Sequence, residues 1–282
     1  MMPSLTPVPN HLARRLRNGQ LGTAITARLV DKIDMASLAY VSGWHSVLID
    51  LEHSVIGQEA AIQLTRACIL AGIAPVIRVP QGDAAWLGRA LDAGAQGVIV
   101  PHVDTADEAR RIVQQARHFP RGHRSFTYSF PSLHHQNLPP QQAFDYIDSE
   151  TLVFCMLESR TAIANAEEIA AVEGFDVLLI GSADLTTDMG ISCQFDHPDY
   201  DAAVLRVCDV AKRHGKIVGL GGIQGRPDLL KRYIDHGARF IMGGADWGML
   251  LAAFQNQQKS LMTLLPDQDE VKAAPLQLPV SR

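Results

Sequence analysis

Short, almost uninterrupted runs of apolar residues recur along the chain, and longer segments with helical spacing separate them. Runs of this length without a polar side are typical of strands that are buried on both faces, as in a parallel sheet. The pattern predicts eight strands, at residues 21–26, 46–50, 75–79, 97–101, 151–157, 177–181, 216–220 and 239–243.

The segments between these runs carry the start and stop signals of helices. Residues 57–72, 83–94 and 228–237 each end in a glycine, and Thr105 and Glu108 have the spacing of a capping box. Eight strands that alternate with helices predict an α/β fold, a single-domain (β/α)8 TIM barrel. A doubly wound open sheet is the alternative, but no GxGxxG follows the first predicted strand.

Two segments depart from the alternation. Residues 119–145 form a long insertion rich in aromatic residues, histidine and proline, and long loops of this kind are usually functional or disordered. Residues 264–282 have the composition of a frayed terminus. We therefore expect an N-terminal segment at 1–20, a catalytic barrel at 21–263 and a tail from 264.

The composition restricts the class of protein. The chain has 282 residues, of which 47% are hydrophobic and 20% charged, and its net charge is −5 without any basic run. This balance argues against nucleic acid or an anionic membrane as a partner. We find no apolar run of the roughly 18 residues that a membrane span needs, no secretory signal and no CxxC among four scattered cysteines, so we expect a cytoplasmic protein with reduced thiols.

Polar residues follow several predicted strands, at the end of a barrel where active sites lie. Taken singly, each has a structural explanation as an ion-pair partner or a helix cap, and Asp246 is interpreted as the cap of the last helix. Their placement on one face favours a functional site. The candidates are Asp50, Glu52 and His53 after strand two, Arg78 on strand three, His102 after strand four, Glu158 after strand five and Asp184 after strand six.

These residue types suit the chemistry of a 2-oxo acid. Glu158 and Asp184, from neighbouring strands, can share a hard cation such as Mg²⁺ or Mn²⁺, and the carboxylate and carbonyl oxygens of a keto acid would complete its coordination. The cation would act as a Lewis acid on an enolate, Arg78 would add positive charge and His53 would move protons. None of the six lysines follows an apolar run, which disfavours Schiff-base chemistry.

Three segments, at 49–54, 94–113 and 158–190, together resemble the class II pyruvate aldolases of the 4-hydroxy-2-oxoheptanedioate and 2-dehydro-3-deoxyglucarate aldolase type. Macrophomate synthase, a decarboxylase, is related to these enzymes. The likeness runs from about Gly22 to Leu251. It implies a homo-oligomer, typically a hexamer built as a trimer of dimers, in which subunits exchange the last helix.

The resemblance also implies roles for individual residues. Glu158 and Asp184 would hold Mg²⁺, Mn²⁺ or Co²⁺, and Arg78 would stabilise the transition state. His53 would be the catalytic base, with Asp92 raising its basicity. The substrate carboxylate would lie against the backbone of Ser182 and Ala183, which follow Gly181 directly. We expect Asp50 and Glu52 to order metal-bound water or to orient the imidazole.

The chain departs from the family pattern around the substrate. Met156 stands where the family usually carries a glutamine that bonds the substrate, and a thioether donates no hydrogen bond. His102 replaces a small or apolar residue of the family pattern. Near the end of the first strand the family carries an aromatic residue, and this chain has Thr23 and Ala24 there instead. We therefore expect a lyase that cleaves a 4-hydroxy-2-oxo acid to pyruvate and an aldehyde through a metal-bound enolate. A decarboxylase or lyase for a bulkier 2-oxo acid, and a barrel without catalysis, remain as alternatives.

Overall fold

The computed structural model describes residues 6–81, 84–127 and 129–264. The eight predicted strands are all present, with boundaries within two residues of those expected. They are β1 (Gly22–Ala27), β2 (Ser46–Asp50), β3 (Ala74–Arg78), β4 (Gly97–Val100), β5 (Leu152–Leu157), β6 (Val177–Gly181), β7 (Ile217–Gly221) and β8 (Ala238–Ala245).

Helices separate the strands as predicted. The capping box of Thr105 and Glu108 is formed, and Gly72 ends its helix in the left-handed conformation with φ 77°. The helices are α1 (His11–Arg17), α2 (Asp34–Val41), α3 (Gln58–Ala71), α4 (Ala84–Asp92), α5 (Ala106–Ala116), α6 (Pro140–Glu150), α7 (Arg160–Ala164), α8 (Ala166–Ala170), α9 (Ser182–Asp188), α10 (Pro198–Arg213), α11 (Pro227–Asp235) and α12 (Asp246–Met262).

The sheet closes on itself. Each strand pairs in parallel with the next, and β8 pairs with β1, with Gly22 opposite Phe240. Closure excludes the doubly wound open sheet and confirms the TIM barrel. All strands therefore end on one face, which we call the catalytic face, and begin on the other, the N-terminal face.

Two apolar cores lie on the two sides of the strands. Inward-facing side chains such as Phe154, Met156 and Phe240 fill the barrel, while the outward-facing residues pack against the surrounding helices. Leu12 and Leu16 of α1 belong to the inner core and pack beneath Gly22, where a side chain would collide with them. The N-terminal helix therefore closes the bottom of the barrel.

The insertion at 119–145 lies on the N-terminal face. It contains a 3₁₀ turn (Pro131–Leu133) and most of α6, and a small apolar cluster that includes Phe130 and Ile147 holds these together. It begins beside Arg117, whose guanidinium binds Asp176 just before β6 begins. In a single chain it lies away from the catalytic face, because it joins the end of a helix to the start of a strand.

The chain divides into two compact units, residues 1–247 and 248–282. The first holds the whole barrel. In the second, the described residues continue α12 as far as Met262, and the tail beyond residue 264 lies outside the described part of the chain. No helix among the described residues is long and apolar enough to cross a membrane.

Candidate active site

The strand alternation carries polar side chains to the rim of the barrel interior. On β5 the residues Leu152, Phe154 and Met156 face inward, so Glu158 is the next inward position. The same alternation leads to Arg28 after β1, Asp50 on β2 and Arg78 on β3. A ring of charged groups therefore caps the apolar interior on the catalytic face.

One part of this ring, the β1–β3 rim, consists of Arg28, Asp50 and Arg78. The buried Asp50 carboxylate accepts from Arg78 Nε at 2.9 Å and Arg78 Nη2 at 2.6 Å, and from Arg28 Nε at 2.6 Å. Burial alone would raise the pKa of Asp50, but the hydrogen bond and charge of Arg78, together with the charge of Arg28, outweigh it and lower the pKa. Asp50 is thus a fixed anion that orients two guanidinium groups.

Asp50 also shapes the turn that follows β2. Its Oδ1 accepts from the backbone N–H groups of Glu52 and His53, both at 3.2 Å. Glu52 Oε2 lies 3.1 Å from Arg78 Nη1 and 3.8 Å from His53 Nε2. The imidazole of His53 remains 48% exposed. The turn therefore presents His53 at the mouth of the barrel, where it can reach a substrate.

The second part of the ring, the β5–β6 rim, consists of Glu158, Gly181 and Asp184. Glu158 is buried against Gly181, where any side chain would overlap its carboxylate. Burial raises the pKa of Glu158 to about 7, and the charges of Asp184 and Glu52 act in the same direction, while His102 opposes them. Within the described residues, Glu158 Oε1 has no hydrogen-bond partner. Unlike Asp50, Glu158 is not bound by a guanidinium group among those residues.

His102 reaches into the site through an unusual backbone conformation. Its φ is 53°, in the left-handed region that few residues other than glycine adopt. Its backbone N–H donates to Glu158 Oε2 at 3.1 Å, and its ring nitrogens lie 3.3 Å from Glu158 Oε2 and 3.2 Å from Glu52 Oε1. His102 therefore connects the two parts of the ring and leaves Glu158 Oε1 unbonded.

Asp184 lies in the first turn of α9 and is exposed, directly after the buried Ser182 and the exposed Ala183. The hydroxyl of Tyr200 donates to Ser182 Oγ at 2.7 Å, which fixes the start of this helix. Ser182 and Ala183 thus border the β5–β6 rim, next to the carboxylate of Glu158.

Met156 faces inward directly beneath Glu158. Its sulfur lies 4.0 Å from Arg78 Nη1, the one nitrogen of that guanidinium that Asp50 does not take. A weakly polar thioether therefore stands between Arg78 and the β5–β6 rim.

Two predicted residues lie elsewhere or act differently. Asp92, at the end of α4, is on the N-terminal face and pairs with Arg124 at 2.7 Å, so one chain does not bring it to His53. Asp246 binds more than its own helix: besides the N–H of Trp247, its carboxylate accepts from the backbone N–H groups of residues 28, 29 and 30. Its interpretation as a simple cap was therefore too narrow.

Arg28 is the site residue that the sequence reasoning missed. The first predicted strand ends at residue 26, one step short of the next inward position, whereas β1 continues to Ala27. Ala24, Thr26 and Arg28 continue the inward series one step further, and that signal could have found it.

The donor set fits a hard divalent cation. No group of three or more His, Cys, Asp and Glu side chains suited to a metal occurs among the described residues. Glu158 and Asp184 nevertheless supply the one or two carboxylates with which Mg²⁺ is usually bound, the remaining ligands being water and substrate oxygens. The unbonded Oε1 and the raised pKa of Glu158 fit a carboxylate that binds a cation, because an added positive charge would satisfy the oxygen and favour the charged form.

Comparison with known proteins agrees with this geometry. The family model described as "HpcH/HpaI aldolase/citrate lyase" matches residues 29–253. A 4-hydroxy-4-methyl-2-oxoglutarate aldolase, tasA of Hapsidospora irregularis, is 37% identical over 245 residues, which cover 86% of this chain and 90% of the relative. A hydroxypyruvate/pyruvate aldolase of Pseudomonas aeruginosa is 30% identical over 246 residues, which cover 87% of this chain and 90% of the relative.

Among solved structures, the citrate synthase SbnG superposes with a TM-score of 0.80 at 27% identity, covering 89% of this chain and 97% of that one. The similarity therefore spans nearly the whole barrel.

Proposed function

The chain belongs to the HpcH/HpaI aldolase/citrate lyase family, and from that premise we propose that it is a carbon–carbon lyase. It would cleave a 4-hydroxy-2-oxo acid between C3 and C4 to release pyruvate and a carbonyl compound. The observation that carries the proposal is the buried Glu158, unbonded at Oε1, beside Asp184 and across from Arg78 and His53.

Glu158 and Asp184 would hold the divalent cation, with Mg²⁺, Mn²⁺ or Co²⁺ as candidates. When bound, the cation supplies Lewis-acid charge to the oxygens of the 2-oxo acid. The substrate carboxylate would lie against the backbone of Ser182 and Ala183, beside Gly181.

The protein's own groups would manage the proton and the developing charge. His53 takes the proton of the C4 hydroxyl, directly or through water, as the C3–C4 bond breaks. The electron pair of that bond forms the C2=C3 double bond, and the π pair of the C2 carbonyl moves to its oxygen, which gives the pyruvate enolate. Asp50 holds Arg78 through Nε and Nη2, and Nη1 lies 3.1 Å from Glu52 Oε2 and 4.0 Å from the sulfur of Met156. From this position the positive charge of Arg78 stabilises the enolate oxygen. Protonation at C3 then gives pyruvate.

Asp92 can serve His53 only across a subunit boundary. Helix α4 carries it to the N-terminal face of its own chain, so a second copy must bring it to the catalytic face. We propose a homo-oligomer on this ground; the hexamer and the exchange of the last helix stay predictions. Mixing inactive His53→Ala and Asp92→Asn subunits should restore part of the activity if the two residues meet between chains. No recovery in verified mixed oligomers would contradict this.

Pyruvate release from a panel of 2-oxo acids tests the proposed reaction. With Mg²⁺ present, 4-hydroxy-4-methyl-2-oxoglutarate or a related 4-hydroxy-2-oxo acid should yield pyruvate in an assay coupled to lactate dehydrogenase, and chelation should stop it. Oxaloacetate decarboxylation without cleavage of any hydroxy acid would favour the second candidate, a decarboxylase. Met156 and His102, which alter the substrate side of the site, are the observations that keep this candidate open.

A further inference from the structure

Arg28 is a fixed guanidinium whose outer nitrogens are free for a ligand. Its Nε donates to Asp50 Oδ2 at 2.6 Å, the oxygen that also accepts from Arg78. Within the described residues, the two terminal nitrogens of Arg28 have no hydrogen-bond or ion-pair partner, and 31% of the side chain is exposed. A group that served only to neutralise Asp50 would be redundant, since Arg78 already binds both carboxylate oxygens.

The backbone beneath Arg28 is rigidly held. The buried Asp246 carboxylate accepts from the N–H of Arg28 at 3.1 Å, of Leu29 at 3.0 Å and of Val30 at 2.7 Å. A carboxylate that binds three successive N–H groups fixes the loop after β1. Arg28 is thus preorganised from its backbone and from its Nε, which lowers the entropy lost when it binds a ligand.

The position of Arg28 in the barrel suggests which ligand it meets. In the closed order of strands, β1 lies four strands from β5 in either direction. Arg28 therefore stands across the barrel mouth from Glu158, with His53 of the β2 turn on the side of Arg28. A substrate held by its pyruvate half at the β5–β6 rim would extend its other half toward Arg28.

We infer that Arg28 binds a carboxylate at the far end of the substrate and makes this site selective for dicarboxylic 2-oxo acids. The orientation of the substrate rests on the proposed function. A guanidinium with two free N–H-bearing nitrogens offers a planar pair of donors that matches a carboxylate, and charge-assisted hydrogen bonds of this type are the stronger ones. A methyl group in the same place would leave those donors without a partner.

Equilibrium binding tests the inference without requiring turnover. The probes are 2-oxoglutarate and 2-oxopentanoate, which have the same chain length and differ in a terminal carboxylate or methyl group. Binding of each to the full-length protein is measured by calorimetry with Mg²⁺ present. The wild type should prefer 2-oxoglutarate, and Arg28→Gln should reduce that preference by about 10-fold to 100-fold. Arg28→Lys, which keeps the charge but not the planar pair of donors, should reduce it less.

Arg226→Gln is the matched control. Arg226 is 29% exposed and also lies on the catalytic face, after β7, but its terminal nitrogens bind Asp196 and Asp228. This variant should keep the wild-type preference. An equal loss of both ligands in Arg28→Gln would overturn the inference, because Arg28 would then act only through Asp50. An unchanged preference would overturn it as well.

The experiments distinguish a failure of the proposed lyase reaction from a failure of the proposed carboxylate subsite. If the wild type prefers 2-oxoglutarate through Arg28 but cleaves no 4-hydroxy-2-oxo acid, the lyase is wrong and the carboxylate subsite stands. If cleavage occurs and Arg28→Gln leaves the preference intact, the lyase stands and the subsite is wrong.

Discussion

The two parts of the charged ring each contain a buried carboxylate, but the partners of that carboxylate differ. On the β1–β3 rim, Asp50 is buried but bound by two guanidinium groups, and its pKa is lowered. On the β5–β6 rim, Glu158 is buried with a backbone N–H and an imidazole, beside the like charge of Asp184, and its pKa is raised to about 7. Two guanidinium groups of the chain neutralise the first carboxylate, whereas the second has no such partner among the described residues, as we expect of a residue that holds a metal cation.

The largest effect that this contrast predicts is the loss of metal affinity and turnover in the variant Glu158→Gln. The amide keeps the size of the side chain and removes the negative charge that the cation requires. Affinity for Mg²⁺ should fall by more than about 100-fold, and turnover by on the order of 1,000-fold. Calorimetric titration and initial rates check this, with Glu168→Gln, a surface acid of α8, as control. Activity that survives in Glu158→Gln would contradict the contrast.

His53→Ala should separate catalysis from metal binding. Loss of a general base typically costs about 100-fold to 10,000-fold in rate. The nearest carboxylate to the imidazole is Glu52, at 3.8 Å, rather than Glu158 or Asp184, so metal affinity should stay within about twofold. Turnover and metal titration on the same preparation measure both. A collapse of metal affinity would show that His53 is a ligand and not the base.

Stability should respond in opposite ways at the two parts of the ring. Asp50→Asn leaves two guanidinium groups without their buried partner, which typically costs about 3–5 kcal/mol. Glu158→Gln removes a buried and poorly paired charge, so the metal-free protein should be as stable as the wild type or more so. Urea unfolding in the presence of a chelator measures both variants. Equal destabilisation by the two substitutions would remove the distinction between the two rims.

The smallest effect that this contrast predicts is on how the stability of the metal-free protein depends on pH. Because the folded-state pKa of Glu158 lies above its ordinary value of 4.5, the folded protein keeps a proton between pH 4.5 and about 7 that the unfolded chain has released. The contribution of Glu158 is therefore fully present below pH 4.5 and is lost as the pH rises to about 7. Unfolding at a series of pH values should show this decline, and Glu158→Gln should lack it.

Most of the fold and much of the site followed from the residue pattern. The apolar runs predicted all eight strands, because strands buried on both faces leave no polar interruption. Glu158, Arg78 and Asp50 were found because the ends of parallel strands meet on one face. Asp92 was assigned from family likeness alone, although its place at the end of a helix already puts it on the other face.

Other features were not readable from the pattern. His102 lies outside the inward series of β4 and reaches Glu158 only because its φ is positive. The sequence around a single histidine does not predict this backbone conformation. The four N–H groups that converge on Asp246 depend on contact between the two ends of the barrel sequence, 216 to 218 residues apart for three of them. Such contacts appear only when the barrel is closed.

We propose above all that Glu158 and Asp184 hold a cation that makes pyruvate acidic at C3. Exchange of the pyruvate methyl protons with deuterium, followed by proton NMR, measures that step without an acceptor. We expect exchange in the presence of Mg²⁺, and we expect exhaustive chelation and Glu158→Gln to abolish it. Exchange that persists after chelation, or none in the Mg²⁺-loaded wild type, would contradict it.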